Sequence, residues 1–189
     1  MPILLVFASS LAAAQWMPDV AEWPALMRGE ALIRDVTNPS NVPGIRVFFV
    51  VSASRDAVWR TLVDYRNFTK VFPDIDQIKV LSEDQQGARV RAWMSVLWMK
   101  FDYTLDRIYE RPGYRLSWQR SGGSFKHISG SWEILDTEDP ERLLVIYESY
   151  VEIGFVVPTA LVRSGARDRA KAMTQRFRHW VEAKQSGSN

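Results

Sequence analysis

Between residues 75 and 151 apolar and polar side chains alternate with a period close to two, and between 158 and 184 the period lengthens to three or four. The first pattern predicts strands with one buried face, the second an amphipathic helix. The candidate strands are 75–82, 88–98, 100–110, 114–120, 126–135 and 142–151. Short separators carrying Gly, Pro or Asp lie between them, such as Arg111-Pro112-Gly113 and Ser121-Gly122-Gly123-Ser124. Short connections favour antiparallel neighbours. The stretch 88–110 is long for one strand, so a bend is expected at Leu97-Trp98-Met99. Upstream, 29–37 and 45–51 flank the turn-forming run from Asn38 to Gly44 and predict a hairpin. Ser54 is placed to cap a helix carrying Val58 and Leu62 on one face, and 67–72 predicts a second, shorter helix ended by Pro73. In the last element Val162, Ala166, Ala170, Met173, Phe177 and Val181 form one stripe, while Arg163, Arg167, Arg169 and Arg176 populate other faces. That helix would be roughly 38 Å long and would lie across a broad surface.

Composition narrows the class. The 189 residues are 47% apolar and 24% charged, which is globular. Basic and acidic residues number 24 and 22, and a net charge of +2 gives no electrostatic case for nucleic acid. Without cysteine there is no disulfide, thiolate nucleophile or Cys-ligated metal. Eight Trp point to an aromatic core or an aromatic-lined pocket, and counting does not separate the two. The opening residues form an apolar run followed by Ala12-Ala13-Ala14, the small-residue pattern of a cleavage site. Residues 1–14 are therefore expected to be a signal peptide, although the usual basic start is missing. The expected location is periplasmic or secreted, with the folded domain spanning 25–185.

The predicted order is two strands, two helices, five or six antiparallel strands and one long helix. This implies an α+β cup, with a bent sheet wrapped around the closing helix. The chain resembles the START-like (SRPBCC) helix-grip superfamily, which includes lipid-transfer domains, the coenzyme-Q-binding group and the polyketide cyclase/dehydrase-like group. The resemblance runs from Arg46 to Glu182. It rests on Val50-Val51-Ser52-Ala53-Ser54-Arg55-Asp56-Ala57-Val58-Trp59, on Leu62 to Phe68 with Val71-Phe72-Pro73, on Gly130-Ser131-Trp132-Glu133-Ile134, and on Pro158 before a long helix. It implies a helix-grip fold and a cavity for a hydrophobic ligand. Such a pattern specifies fold well and ligand poorly.

Candidate chemistry is sparse. There are two histidines: His179 lies among arginines on the last helix, and His127 shares an outward face with Phe125, Ser129 and Ser131. No nucleophile elbow, P-loop, dinucleotide fingerprint or metal spacing is present, so no catalytic residue, metal ligand or cofactor is assigned. Asp102 and Asp106 alternate with Phe101, Tyr103 and Leu105 and are expected outside. Glu148 shares a face with Leu144, Ile146 and Tyr150, and an inward Glu148 could orient a ligand's polar group.

The expected ligand-binding residues are Met94, Phe101, Tyr103, Trp118, Trp132, Glu148, Tyr150, Met173 and Phe177, with simple core packing as the competing role. Trp118 and Tyr150 stand out because each joins a large apolar body to one hydrogen-bonding atom. The leading function is an exported carrier of a lipid or hydrophobic small molecule. The run Phe155-Val156-Val157-Pro158 would gate the cavity and make transient contact with a membrane surface, and no nucleic acid is involved. The alternatives are a polyketide cyclase/aromatase-like enzyme, with Glu148 and Tyr150 or Arg120 moving protons, and an interaction module with a filled core.

Overall fold

The computed structural model describes residues 16–96, 99–154 and 159–186. Its first element is a helical segment that the strand and helix periods do not announce. A 3-10 turn at Val20–Glu22 runs into α1, Trp23–Met27, with Pro24 in its first turn and Leu26 buried. Gly29, at φ 91°, turns the chain out of this helix, so β1 spans Leu32–Thr37 and starts later than expected. Asn38 closes the following turn, its Oδ1 accepting from the Val42 amide at 2.8 Å. Pro43–Val51 forms β2.

Ser54 caps α2, Arg55–Val63, by accepting from the Ala57 amide at 3.2 Å. The single turn α3 is Phe68–Val71. Six strands follow: β3 Ile75–Glu83, β4 Gly87–Val96, β5 Met99–Arg111, β6 Arg115–Gly123, β7 Phe125–Asp136 and β8 Leu143–Ile153. Helix α4, Thr159–Ser186, closes the fold. β4 and β5 pair up to Val96 opposite Met99, so the chain does reverse where a bend was expected. Residues 97 and 98 themselves lie outside the described residues, as do the proposed signal peptide and the proposed gate at 155–158.

The eight strands make one sheet in the order β1-β2-β8-β7-β6-β5-β4-β3, and every neighbouring pair is antiparallel. The last strand therefore returns beside the second. Register shifts in β3–β4, β5–β6 and β7–β8 bend the sheet. One shift corrects the face assignment of β7. Phe125 does not share the side of His127 but turns into the core, stacked on Phe101 at 5.1 Å between ring centroids.

Two clusters hold the layers together. The larger fills the concave face and takes in Ala170, Met173, Phe177 and Val181 from α4. The other two stripe positions, Val162 and Ala166, lie outside the described side chains. Phe177 is fully buried among Phe49, Phe72 and Trp132, with centroids 5.7, 6.2 and 5.4 Å away. The smaller cluster lies on the convex face, where Leu26 covers Phe48, Val50, Leu144 and Ile146. Replacing Phe177 by Ala should cost about 3–5 kcal/mol in urea denaturation. The exposed Gln175→Ala should stay within about 0.5 kcal/mol.

Candidate functional site

A cavity of about 120 Å³ lies between the concave face and α4. Helix α3 and the turn after it contribute Phe68, Phe72 and Ile75. The strands contribute Val90 and Ala92, then Tyr103, Leu105 and Arg107, then Trp118, Ile128, Trp132, Tyr147 and Ser149, and α4 contributes Met173. Strand alternation explains the selection, because residues two apart on β4, β5 and β8 line the same face. Gly130 makes the space under Trp118: a Cβ there would come within 2.3 Å of Trp118 Cζ2 and 2.1 Å of the Glu148 carbonyl.

Of the expected site residues, Tyr103, Trp118, Trp132 and Met173 line this cavity. Phe177 backs Trp132, stacked on it. Met94 and Phe101 belong to the same core, paired across β4 and β5, but lie beyond the lining.

Glu148 and Tyr150 face the other way. Glu148 is bonded to Arg46 and accepts from the Tyr150 hydroxyl on the convex side. They border a separate depression of about 270 Å³ with Arg115, Ser117, Gln119, Ser129 and Ser131. The misassignment has a physical cause. Leu144 and Ile146 are buried, but under α1 on the convex face, so both sides of β8 begin apolar and alternation alone has no fixed sign. Asp102 and Asp106 are outside as expected, bonded to Arg91 and Arg89. His127 also faces out, 2.8 Å from the Ser129 hydroxyl.

Three polar residues of the lining were not anticipated. Tyr147 and Ser149 occupy the face opposite Glu148, and burial pushes the Tyr147 phenol up while a hydrogen bond from Ser149 pulls it down. Burial also pushes Tyr103 well above the usual phenol range. These tyrosines stay protonated, so their hydroxyls can donate to a ligand. Arg107 continues the series Phe101, Tyr103, Leu105 and is 4% exposed. Its guanidinium carbon sits 5.0 and 5.1 Å from the ring centroids of Tyr65 and Phe68. Among the described residues its Nη1 has no hydrogen-bond partner. A buried donor left unmade costs roughly 1–3 kcal/mol. Extending the β5 alternation by one step would have found it.

Comparison with known proteins agrees with this geometry. The family described as polyketide cyclase / dehydrase and lipid transport matches residues 51–178, and the chain belongs to that family. A STAR-related lipid transfer protein from Xanthomonas axonopodis is similar in fold, at TM-score 0.67 and 15% identity over 80% of this chain and 93% of that one. Human StAR-related lipid transfer protein 5 superposes at TM-score 0.65 and 10% identity, covering 82% and 83%. The Zhui aromatase/cyclase from Streptomyces sp. R1128 gives TM-score 0.55 and 21% identity, covering 82% and 94%. At these identities the likeness is one of fold, the START-like helix-grip. No curated protein matches the sequence.

The convex face carries a pH signature. Burial lifts the Glu133 carboxyl above its ordinary value, with Arg115 opposing. The folded protein thus keeps a proton that the unfolded chain has released, and stability falls as pH rises from 4.5 through the native value. Asp102 and Asp106 act in the opposite sense. Hydrogen bonds from Arg91 and Arg89 hold them below 3.8, so their contribution is present above that value and lost as pH falls through the native one. Urea titrations that run from below pH 3.8 to above pH 4.5 should therefore show Glu133→Gln flattening the decline on the rising side and leaving the acid limb unchanged.

Proposed function

We propose that this protein is an exported carrier that holds a hydrophobic small molecule or lipid in the cavity under α4. The observation that carries the reading is the lining itself: a partly open, mostly aromatic and aliphatic concavity with a few convergent polar groups, the usual make-up of a ligand site. The family includes lipid transport in its description, and two of the similar folds are named as lipid-transfer proteins. The cyclase/aromatase reading needs a proton-transfer pair at the ligand. Glu148, its best candidate, lies on the convex side, and among the described lining residues the titratable groups are two tyrosines with raised pKa and an arginine.

The closed cavity is small. An apolar cavity of about 150 Å³ holds one benzene, whereas drug-sized ligands occupy about 300 Å³ or more. Loading a lipid therefore requires α4 and α3 to separate and the aromatic cluster to swing aside. The attachments of α4 differ along its length. Toward the C-terminus, Arg178 donates to the carbonyls of Val50 and Gly29 at 2.9 and 2.7 Å, and Glu182 accepts from the Ser52 amide at 3.0 Å. Further back the described ties include two ion pairs with partly exposed partners, Arg167–Asp35 at 3.0 Å and Arg169–Asp74 at 3.9 Å. Each is worth about 0–1 kcal/mol. Of the described attachments, these ion pairs are the less costly to break.

Mass spectrometry of organic extracts should find a hydrophobic compound bound to the purified protein. Ala92→Phe, which fills the space beside Tyr103, should remove it while leaving the protein folded by circular dichroism. An empty wild-type protein that also takes up no added lipid would overturn the carrier reading. Export is tested separately: expression in a Gram-negative host should place a product lacking residues 1–14 in the periplasmic fraction, and an uncleaved product retained in the cytoplasm would refute it.

A further inference from the structure

Apolar burial leaves Arg107 unexplained. A guanidinium stays charged at any accessible pH and carries five donors in a planar fork. Here it is almost fully buried, and no carboxylate of a described residue is ion-paired with it. The rings of Tyr65 and Phe68 take up part of its charge, but they offer no acceptor in the plane of the fork, and Nη1 remains unpartnered among the described residues. A structural arginine behaves differently. Arg178 also keeps one nitrogen unpartnered, yet it ties two carbonyls and so joins α4 to β2 and to the end of α1. Arg107 ties no described residue by a side-chain hydrogen bond or ion pair, and it lines the cavity.

Its place in the sheet extends the point. Arg107 lies opposite Trp118, Trp118 opposite Gly130, and Gly130 opposite Ser149, in one row across four strands. The indole of Trp118 leans over the bare backbone of Gly130. The row thus has a cation at one end, an aromatic floor in the middle and the Ser149 hydroxyl, bonded to Tyr147, at the other.

We propose that the ligand is an apolar carboxylic acid, bound with its carboxylate on Arg107 and its hydrocarbon body over Trp118 toward Met173. A carboxylate matches the fork and accepts two hydrogen bonds from it. It also supplies the counter-charge that the cavity lacks. This assignment deepens the carrier reading and rests on it.

Decanoate and methyl decanoate separate the two ideas, since they share a chain and differ in charge. Quenching of tryptophan fluorescence reports binding, because Trp118 and Trp132 line the cavity. At pH 8 the wild-type protein should bind decanoate about tenfold or more tightly than the ester. Arg107→Met should bring the ratio to about one by weakening decanoate while keeping the ester, and should not lower the melting temperature of the empty protein, because an unpaired buried cation has been removed. Arg107→Lys should recover part of the preference, since an ammonium supplies charge without the fork. Equal wild-type affinities for the two probes would overturn the assignment and leave the carrier reading standing. Binding of neither probe would overturn both. The wild-type comparison decides the matter even if a variant fails to fold.

Discussion

The constraint on which the structure depends is that the sheet cannot bury its concave face against itself. Eight antiparallel strands with a broad apolar concave face require a covering layer, and α4 supplies it together with α2 and α3. Phe177 is the centre of the contact: fully buried and in ring contact with β2 through Phe49, with the segment after α3 through Phe72 and with β7 through Trp132. Aromatic pairs add about 0.5–1.5 kcal/mol each beyond their buried area. Losing α4 would expose most of the larger cluster, so the cup and its closing helix stand or fall together.

The cavity follows from the same packing. A curved sheet and a straight helix touch well along one line and diverge on either side of it. At β2 and β7 the gap is closed by large rings. Toward β4 the inward residues are smaller, with Ala88, Val90 and Ala92 in succession, and the space stays open. Gly130 contributes by letting Trp118 lie flat on the wall. The site is thus an underfilled region next to the aromatic cluster around Phe177.

Much of this was legible in the chain. Every strand from β2 to β8, the Ser54 cap and the stripe of α4 follow from period and turn chemistry, because these depend on local sequence. The inward sets on β4, β5 and β6 were legible for the same reason, and with them Tyr103 and Trp118. What failed was the sign of the alternation where a second layer intervenes. β8 carries Leu144 and Ile146 on one face and Val145 and Tyr147 on the other, and its sequence does not reveal that α1 will cover the first pair. Glu148 and Tyr150 were therefore turned the wrong way. The bulge near Phe125 did the same on a smaller scale, since one extra residue flips every face assignment before it. Arg107 was missed for another reason: a charge is read as an exposed position, because burying one is costly unless acceptors or an opposite charge complete it.

That last point bears on why the fold tolerates Arg107. A buried, unpaired cation lowers the stability of the empty protein, and leucine or methionine at the same place would pack the cavity wall at no such cost. The cost falls on the empty state and is relieved on binding an acceptor, so the same residue that weakens the apo form raises affinity by the difference. The attachments of α4 suit this arrangement. Its C-terminal half is fixed by neutral carbonyl acceptors at Val50 and Gly29, whose hydrogen bonds do not weaken much with salt, while the described ties of Arg167 and Arg169 are partly exposed ion pairs that open more cheaply. A carrier must release what it binds. On the proposed carrier reading, a cavity that is destabilised when empty holds an acid tightly, and the weaker described ties of α4 are the ones that yield first when it lets go.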